Sequence, residues 1–139
     1  ITLQLGTTNG GVIARGGPDS GVHDELHVRC LAPDDGRTRF CFAICDIRLI
    51  ERAIVDEAKT RIQEATGLDG DHVLISATHT HAAPGTQALI RSDADRWYRG
   101  FLTRRIVDGV RVALNNLAPA KIGWGSASKP EHVGIAAGA

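Results

Sequence analysis

The chain has 139 residues, 42% of them hydrophobic, which is enough to build the core of one ordinary domain. Its 16 Lys and Arg residues are balanced by 16 Asp and Glu residues, so no surplus of positive charge exists to attract nucleic acid. No apolar stretch approaches the roughly 20 residues that a transmembrane helix needs. The composition therefore favours a globular domain that neither binds nucleic acid nor spans a membrane. Its three cysteines lack Cys-x-x-Cys spacing, and we interpret them as buried free thiols.

After a glycine-rich entry with a candidate short strand at Val12-Ile13, the sequence predicts a β-hairpin. Leu26 to Ala32 is expected to be extended, and Pro33 to Gly36 supplies the Pro, Asp and Gly of a turn before a second arm at Thr38 to Cys45. Residues Phe40 to Cys45 are apolar at successive positions, which is typical of a strand covered on both faces.

A βαβ unit is predicted to follow the hairpin. Apolar residues recur at helical spacing, and Gly67 is well placed to end that helix. The recurring residues are Ile50, Ile54, Ala58, Ile62 and Ala65. His72 to Ala77 then has the pattern of a short buried strand, which we predict to lie beside Thr38 to Cys45 in one sheet. The segment after this strand lies at its carboxyl end, where open α/β sheets usually bind ligands.

A second helix is predicted to begin at Ser92 and to end before Pro119, with a final candidate strand at Ala120 to Trp124. This order of elements predicts an α/β fold with a mixed β-sheet, a βαβ crossover and flanking helices.

The segment Thr78-His79-Thr80-His81 is the most unusual part of the sequence, because a buried strand runs directly into two histidines. Alternation along an extended chain sends both imidazoles to the same side, where they can face one site. Neutral imidazole is a good zinc ligand, and a catalytic zinc site typically keeps about three protein ligands and a water. Pro84-Gly85 is expected to turn the chain away and leave the site open.

A His-x-His pair has other interpretations. Two surface or hydrogen-bonded loop histidines would give the same pattern. The metallo-β-lactamase pattern continues with Asp and His, whereas this chain continues with Ala82-Ala83-Pro84. Amidohydrolase barrels carry the pair after their first strand, whereas here a hairpin and a helix come first.

Other candidate residues lie near the strand ends. Asp46 follows the strand that closes at Cys45, and a carboxylate there could orient a zinc-ligating imidazole through its second nitrogen. The alternative is that Asp46 only starts the following helix. His23 is interpreted as a polar turn residue, and three histidines without partner spacing are interpreted as structural, namely His27, His72 and His132.

From about Gly21 to Trp124 the chain resembles the amino-terminal catalytic domain of the neutral/alkaline non-lysosomal ceramidases and their bacterial relatives. The resemblance rests on four features in order: Gly21-Val22-His23-Asp24, the apolar strand closing on Asp46, the helix from Ile50, and Thr78-His79-Thr80-His81 followed by Pro84-Gly85. It implies that residues 1 to 139 form a single-domain, amino-terminal part of a larger layered α/β catalytic domain. A secreted or periplasmic location is also implied.

The resemblance implies zinc-dependent hydrolysis of an amide (N-acyl) bond, with Zn²⁺ as cofactor. The family's first histidine of this segment binds zinc, which assigns that role to His79. Its second histidine helps hold the oxyanion, which assigns a catalytic role to His81. The other zinc ligands, a His, a Glu and a Tyr, are expected beyond residue 139, so the chain alone is expected to be inactive. The implied partner is a small-molecule or lipid amide substrate, ceramide being the best known.

One departure from the family pattern keeps an alternative function open. Family members often have Ser or Gly where this chain has Ala82-Ala83, so hydrogen bonds from that turn are expected to be missing. The alternative is a non-catalytic binding or structural domain that retains the ceramidase-like fold. No feature of the sequence indicates an oligomeric state.

Overall fold

The structure is a computed structural model that describes residues 1–2, 21–84, 86 and 96–128. Within these residues the regular elements, in chain order, are strands β1 (Val28–Leu31) and β2 (Cys41–Cys45), helix α1 (Arg52–Thr66), a short 3-10 helix (Gly70–His72), strand β3 (Val73–Ala77) and helix α2 (Arg96–Asn115).

The three strands form one mixed sheet in the order β1-β2-β3. β1 pairs antiparallel with β2, with Val28 opposite Cys45. β2 pairs in parallel with β3, with Cys41 opposite Val73 and Cys45 opposite Ala77. The predicted α/β fold, its hairpin and the pairing of the two strands that flank α1 are therefore confirmed.

The hairpin turn is held by aspartate side chains that bond to the backbone ahead of them. Asp34 Oδ1 accepts a hydrogen bond from the N–H of Gly36 at 2.8 Å, and Asp35 Oδ1 accepts one from the N–H of Thr38 at 2.7 Å. Gly36 has a φ of 83°, which a residue without Cβ adopts at little cost. The Asp, Asp and Gly of the predicted turn thus each have a conformational role.

Both helices pack together, and α2 also packs on β1 and β2. Together the helices cover one face of the sheet. Because side chains along a strand alternate between the two faces, every second strand residue points towards the helices. The buried core consists largely of apolar residues: Cys41, Ala43, Cys45, Ile47, Ile54, Ala58, Ile62, Leu68, Val73, Tyr98, Leu102, Ile106 and Val110.

The opposite face of the sheet carries a row of partly exposed apolar side chains. Leu31 lies opposite Phe42, and Phe42 lies opposite Leu74, so the three residues align across all strands. Their exposed fractions are 67%, 38% and 51%. Among the described residues only one face of β2 is covered by helices, whereas its sequence predicted cover on both faces.

The end of the described chain differs from its prediction. Ala120 to Trp124 was predicted as a strand, and this prediction is wrong: the segment pairs with no described strand and leaves Trp124 94% exposed. β propensity alone does not form a strand, because backbone groups must also meet the edge of a neighbour. The candidate strand at Val12-Ile13 and the predicted helix start at Ser92 lie outside the described residues. Neither described helix is apolar enough over sufficient length to cross a membrane.

Helix α2 approaches strand β1 closely at Gly109. A Cβ atom at this position would come within 2.9 Å of Cys30 Sγ, which is closer than real Cβ contacts. Gly109 therefore sets the distance between α2 and β1, at the expense of helix propensity.

Gly109→Ala is expected to lower the free energy of unfolding by about 1 kcal/mol, since overpacking outweighs the higher helix propensity of alanine. Urea unfolding of the 139-residue chain measures this. Adding Cys30→Ala should recover most of the loss, because it removes the clashing sulfur. Gly100→Ala is the control in the same helix, as its Cβ would meet only Arg104 Nη1 at 3.9 Å. Equal stability of the Gly109 and Gly100 variants would show that α2 packs less closely.

Candidate metal centre

The two histidines of interest lie where β2 and β3 end side by side. The N–H of Thr78 donates a hydrogen bond to the carbonyl of Cys45 at 3.0 Å, which extends the parallel ladder by one step. The N–H of His79 then donates to the carbonyl of Ile47, also at 3.0 Å. These backbone hydrogen bonds hold the segment after β3 against the loop that joins β2 to α1.

The imidazole of His79 is oriented by a backbone carbonyl of that same loop. Its Nδ1 lies 2.9 Å from the carbonyl oxygen of Arg48. Because a carbonyl oxygen only accepts hydrogen bonds, Nδ1 must carry the proton, and Nε2 of the neutral ring is left with a free lone pair. No described residue bonds to Nε2, and the His79 side chain is exposed. Histidines that bind a metal through Nε2 are usually held in this way.

The backbone of His79 is in the left-handed region, with a φ of 65°. It is the single residue other than glycine with positive φ in the described part of the chain. Such a conformation costs on the order of 1–2 kcal/mol for a residue with a Cβ, and it persists only where the surroundings fix it. The bonds to Ile47 and Arg48 provide this fixation.

His81 lies beside His79. The ring centroids are 5.1 Å apart and the ring planes meet at 72°, an edge-to-face arrangement. β3 ends at Ala77, and the left-handed conformation of His79 interrupts the extended chain that the sequence predicted. The two imidazoles are adjacent as expected, but the left-handed backbone of His79 brings them together rather than strand alternation.

Asp46 is placed on the β1 side of β2. Its Oδ2 accepts a hydrogen bond from the N–H of His27 at 3.0 Å and pairs with Arg29 Nη1 at 2.5 Å. Burial by itself raises the pKa of this carboxyl, but the hydrogen bonds from His27 and Arg29 outweigh burial and hold the pKa below its usual value. The acceptor that orients His79 is the carbonyl of Arg48, whereas the carboxylate of Asp46 ties β1 to the end of β2.

The other histidines lie away from this pair or outside the description. His23 is almost fully exposed and its Nδ1 lies 2.8 Å from Asp24 Oδ2, as a polar turn residue would. The ring of His72 packs against Phe40 with centroids 4.9 Å apart. His132 and Gly85 are outside the described residues, although Pro84 is buried at the predicted turn.

Two contributors to the site were not predicted from the sequence. One is the carbonyl of Arg48, which no residue pattern can reveal because every residue has a carbonyl. The other is Thr86, whose side chain is 3% exposed and whose Oγ1 donates a hydrogen bond to the carbonyl of Leu49 at 2.6 Å. A threonine five residues beyond His81 matches no motif from which its contact with the loop could be predicted.

Among the residues that the structure describes, no group of three or more His, Cys, Asp or Glu side chains could hold a metal ion. The pair His79 and His81 therefore supplies imidazole nitrogen of the kind that zinc binds, but in too small a number for a catalytic site with its usual three protein ligands.

No family model and no solved structure matches the chain.

The strained backbone of His79 gives a stability test. Glycine adopts positive φ freely and alanine does not, so His79→Gly should be more stable than His79→Ala by about 1 kcal/mol. Both variants lose the imidazole, so urea unfolding of the two compares only the backbone. At Thr78, whose φ is not positive, the corresponding alanine and glycine variants should show the reverse order. The same order at both positions would contradict strain at His79.

The lowered pKa of Asp46 predicts a pH dependence of stability. A carboxyl whose pKa is lower in the folded than in the unfolded chain stabilises the fold above the unfolded value, about 3.9, and loses this effect as pH falls through the folded value. Asp46→Asn should therefore be less stable than the wild type at neutral pH, with the difference shrinking as the pH falls below about 4 and through the lowered pKa of Asp46. Urea midpoints across this range measure the difference.

Asp56→Asn is the control for that series. Asp56 pairs with Arg52 in an exposed i,i+4 arrangement, in which ion pairs contribute little at any pH. A difference between wild type and Asp46→Asn that stays constant with pH would show that the carboxylate does not stabilise the fold by its charge.

Proposed function

We propose that this chain carries part of the zinc site of an amide hydrolase resembling the neutral/alkaline ceramidases. His79 is the zinc ligand, and it binds through Nε2. The observation that carries the proposal is the hydrogen bond from His79 Nδ1 to the carbonyl of Arg48 at 2.9 Å, which directs the lone pair of Nε2 away from the loop. An isolated surface histidine has no need of a fixed tautomer, whereas a metal ligand gains affinity from one.

The strained conformation of His79 supports the same role. Residues held in sparsely populated backbone conformations cluster at functional sites, where the surrounding structure fixes them. Here the φ of 65° occurs at the first histidine of the segment that carries the resemblance, and not elsewhere among the described non-glycine residues.

The donor chemistry fits zinc, and the remaining ligands are proposed to be the family's His, Glu and Tyr beyond residue 139. When bound, zinc polarises a carbonyl and activates water for attack on an amide carbon. The protein's part is to orient His79 before the metal arrives, because a ring already locked in its binding tautomer loses less freedom on ligation.

His81 is proposed to donate a hydrogen bond to the oxyanion that develops on the amide carbonyl. Its ring lies 5.1 Å from that of His79, which places the second imidazole beside the proposed metal ligand. Removal of one such donor typically costs about 2.7–4 kcal/mol in the transition state. The substrates covered by the proposal are N-acyl amides, lipid or small-molecule.

The 139-residue chain by itself should bind zinc weakly, because two imidazoles fall short of a tetrahedral site. Titration calorimetry with zinc chloride should give a dissociation constant far above that of a complete site, and His79→Ala should remove what binding there is. Tight one-to-one binding would contradict the ligand assignment, since it would require a third ligand from within this chain.

In the longer protein that the proposal implies, His79→Ala should lose metal and activity together, whereas His81→Ala should keep the metal and lose turnover. A ligand sets metal occupancy, whereas an oxyanion donor acts mainly on the transition state. Metal content measured beside hydrolysis of an N-acyl amide separates the two roles.

Two outcomes of that comparison would count against the proposal. If His81→Ala emptied the site as fully as His79→Ala, both imidazoles would be ligands and the oxyanion role would be wrong. If neither substitution changed hydrolysis, the alternative of a non-catalytic domain that retains the fold would be favoured instead.

A further inference from the structure

Three successive carbonyls of the loop between β2 and α1 are all bound by the segment that follows β3. The carbonyl of Ile47 accepts from the N–H of His79, and that of Arg48 accepts from Nδ1 of the same residue. The next carbonyl, that of Leu49, accepts from Oγ1 of Thr86 at 2.6 Å. Two of these bonds come from His79 itself, and the third comes from a residue seven positions further along the chain.

Thr86 is suited to a fixed structural contact. Its side chain is 3% exposed, so the hydroxyl depends on a protein partner and loses much if that partner moves. At the other end of the loop the side chain of Ile47 is fully buried in the core. The loop is therefore anchored on both sides of Arg48.

This anchoring restricts the direction of the Arg48 carbonyl. A peptide unit is planar, so a carbonyl changes direction only through the backbone dihedrals on either side of it. When the carbonyls of Ile47 and Leu49 are both held, the peptide unit between them has little freedom left. The acceptor of His79 Nδ1 is thus kept in place by Thr86 through the carbonyl of Leu49.

We propose that Thr86 is a positioning residue: its hydroxyl fixes the loop carbonyls and thereby fixes the tautomer and direction of the His79 ring. The effect on the imidazole does not depend on any activity. The consequence for zinc binding and hydrolysis rests on the function proposed above.

The test compares Thr86→Val, which keeps the shape but lacks the hydroxyl, with Thr86→Ser, which keeps the hydroxyl. Nitrogen-15 NMR of the histidine rings in the 139-residue chain, at a pH where histidine is neutral, reports the proportions of the two tautomers. In Thr86→Val the ratio of the Nδ1–H to the Nε2–H form of His79 should fall about fivefold. Thr86→Ser should retain the wild-type ratio.

Thr103→Val is the matched control. Thr103 is fully buried, and its Oγ1 bonds to the carbonyl of Arg99 one turn back in its own helix, at 3.0 Å. This substitution also removes a buried hydroxyl, but it should leave the His79 tautomers unchanged. If Thr86→Val does not fold, Thr86→Cys replaces it, because a thiol is a weak donor and the ratio should again fall. An unchanged ratio in a folded Thr86→Val or Thr86→Cys chain overturns the positioning role.

The same variants in the longer protein separate this inference from the proposed function. Loss of the tautomer preference accompanied by weaker zinc binding, with rescue of both by Thr86→Ser, supports the two together. Loss of the preference with zinc affinity and hydrolysis unchanged would leave Thr86 as the residue that positions His79, but would contradict the use of the fixed His79 tautomer as support for the proposed function.

Discussion

The parallel, in-register pairing of β2 with β3 is the constraint on which the rest of the structure depends. Because Cys45 lies opposite Ala77, the two strands end at the same edge of the sheet, and the segments that follow them lie side by side. The N–H of Thr78 donates a hydrogen bond to the carbonyl of Cys45. The N–H of His79 then donates to a carbonyl of the loop that follows β2. A shift of register by one residue would separate the imidazole from the carbonyl that orients it.

The loop between β2 and α1 is held through its backbone carbonyls, to which His79 and Thr86 donate hydrogen bonds. His79 is held in an unfavourable conformation, and the cost of this is offset by bonds from its own N–H and its own ring to neighbouring carbonyls. These carbonyls belong to a loop fixed by a buried isoleucine and a buried threonine. The lone pair of Nε2 is consequently aimed before any ligand binds, which is the preorganisation that a metal or substrate site requires.

The two faces of the sheet differ in what they contribute. One face is buried by α1 and α2, with Gly109 permitting the close approach of α2 to Cys30. On the other face Leu31, Phe42 and Leu74 form a partly exposed apolar row. In α/β proteins with a parallel sheet both faces are usually covered, whereas the described residues cover only one face of this sheet with helices.

The sequence by itself determined the elements that local chemistry controls. Helical spacing from Ile50 to Ala65 predicted α1, Gly67 ended it in the left-handed conformation, and the aspartates and Gly36 specified the hairpin turn. It also predicted the two histidines to be the residues able to carry chemistry, since they follow β3.

Only the tertiary structure decided how those histidines are held. The carbonyl of Arg48, 31 positions earlier in the chain, orients the ring of His79. Because every residue has a backbone carbonyl, the pattern of residue types could not predict this contact. Asp46 has the right chemistry for that task, but its Oδ2 bonds instead to the N–H of His27 and to the guanidinium of Arg29. Likewise Ala120 to Trp124 has strand-forming residues yet pairs with no described strand. Each of these outcomes depends on which groups meet in space, and the sequence specifies that only through the complete fold.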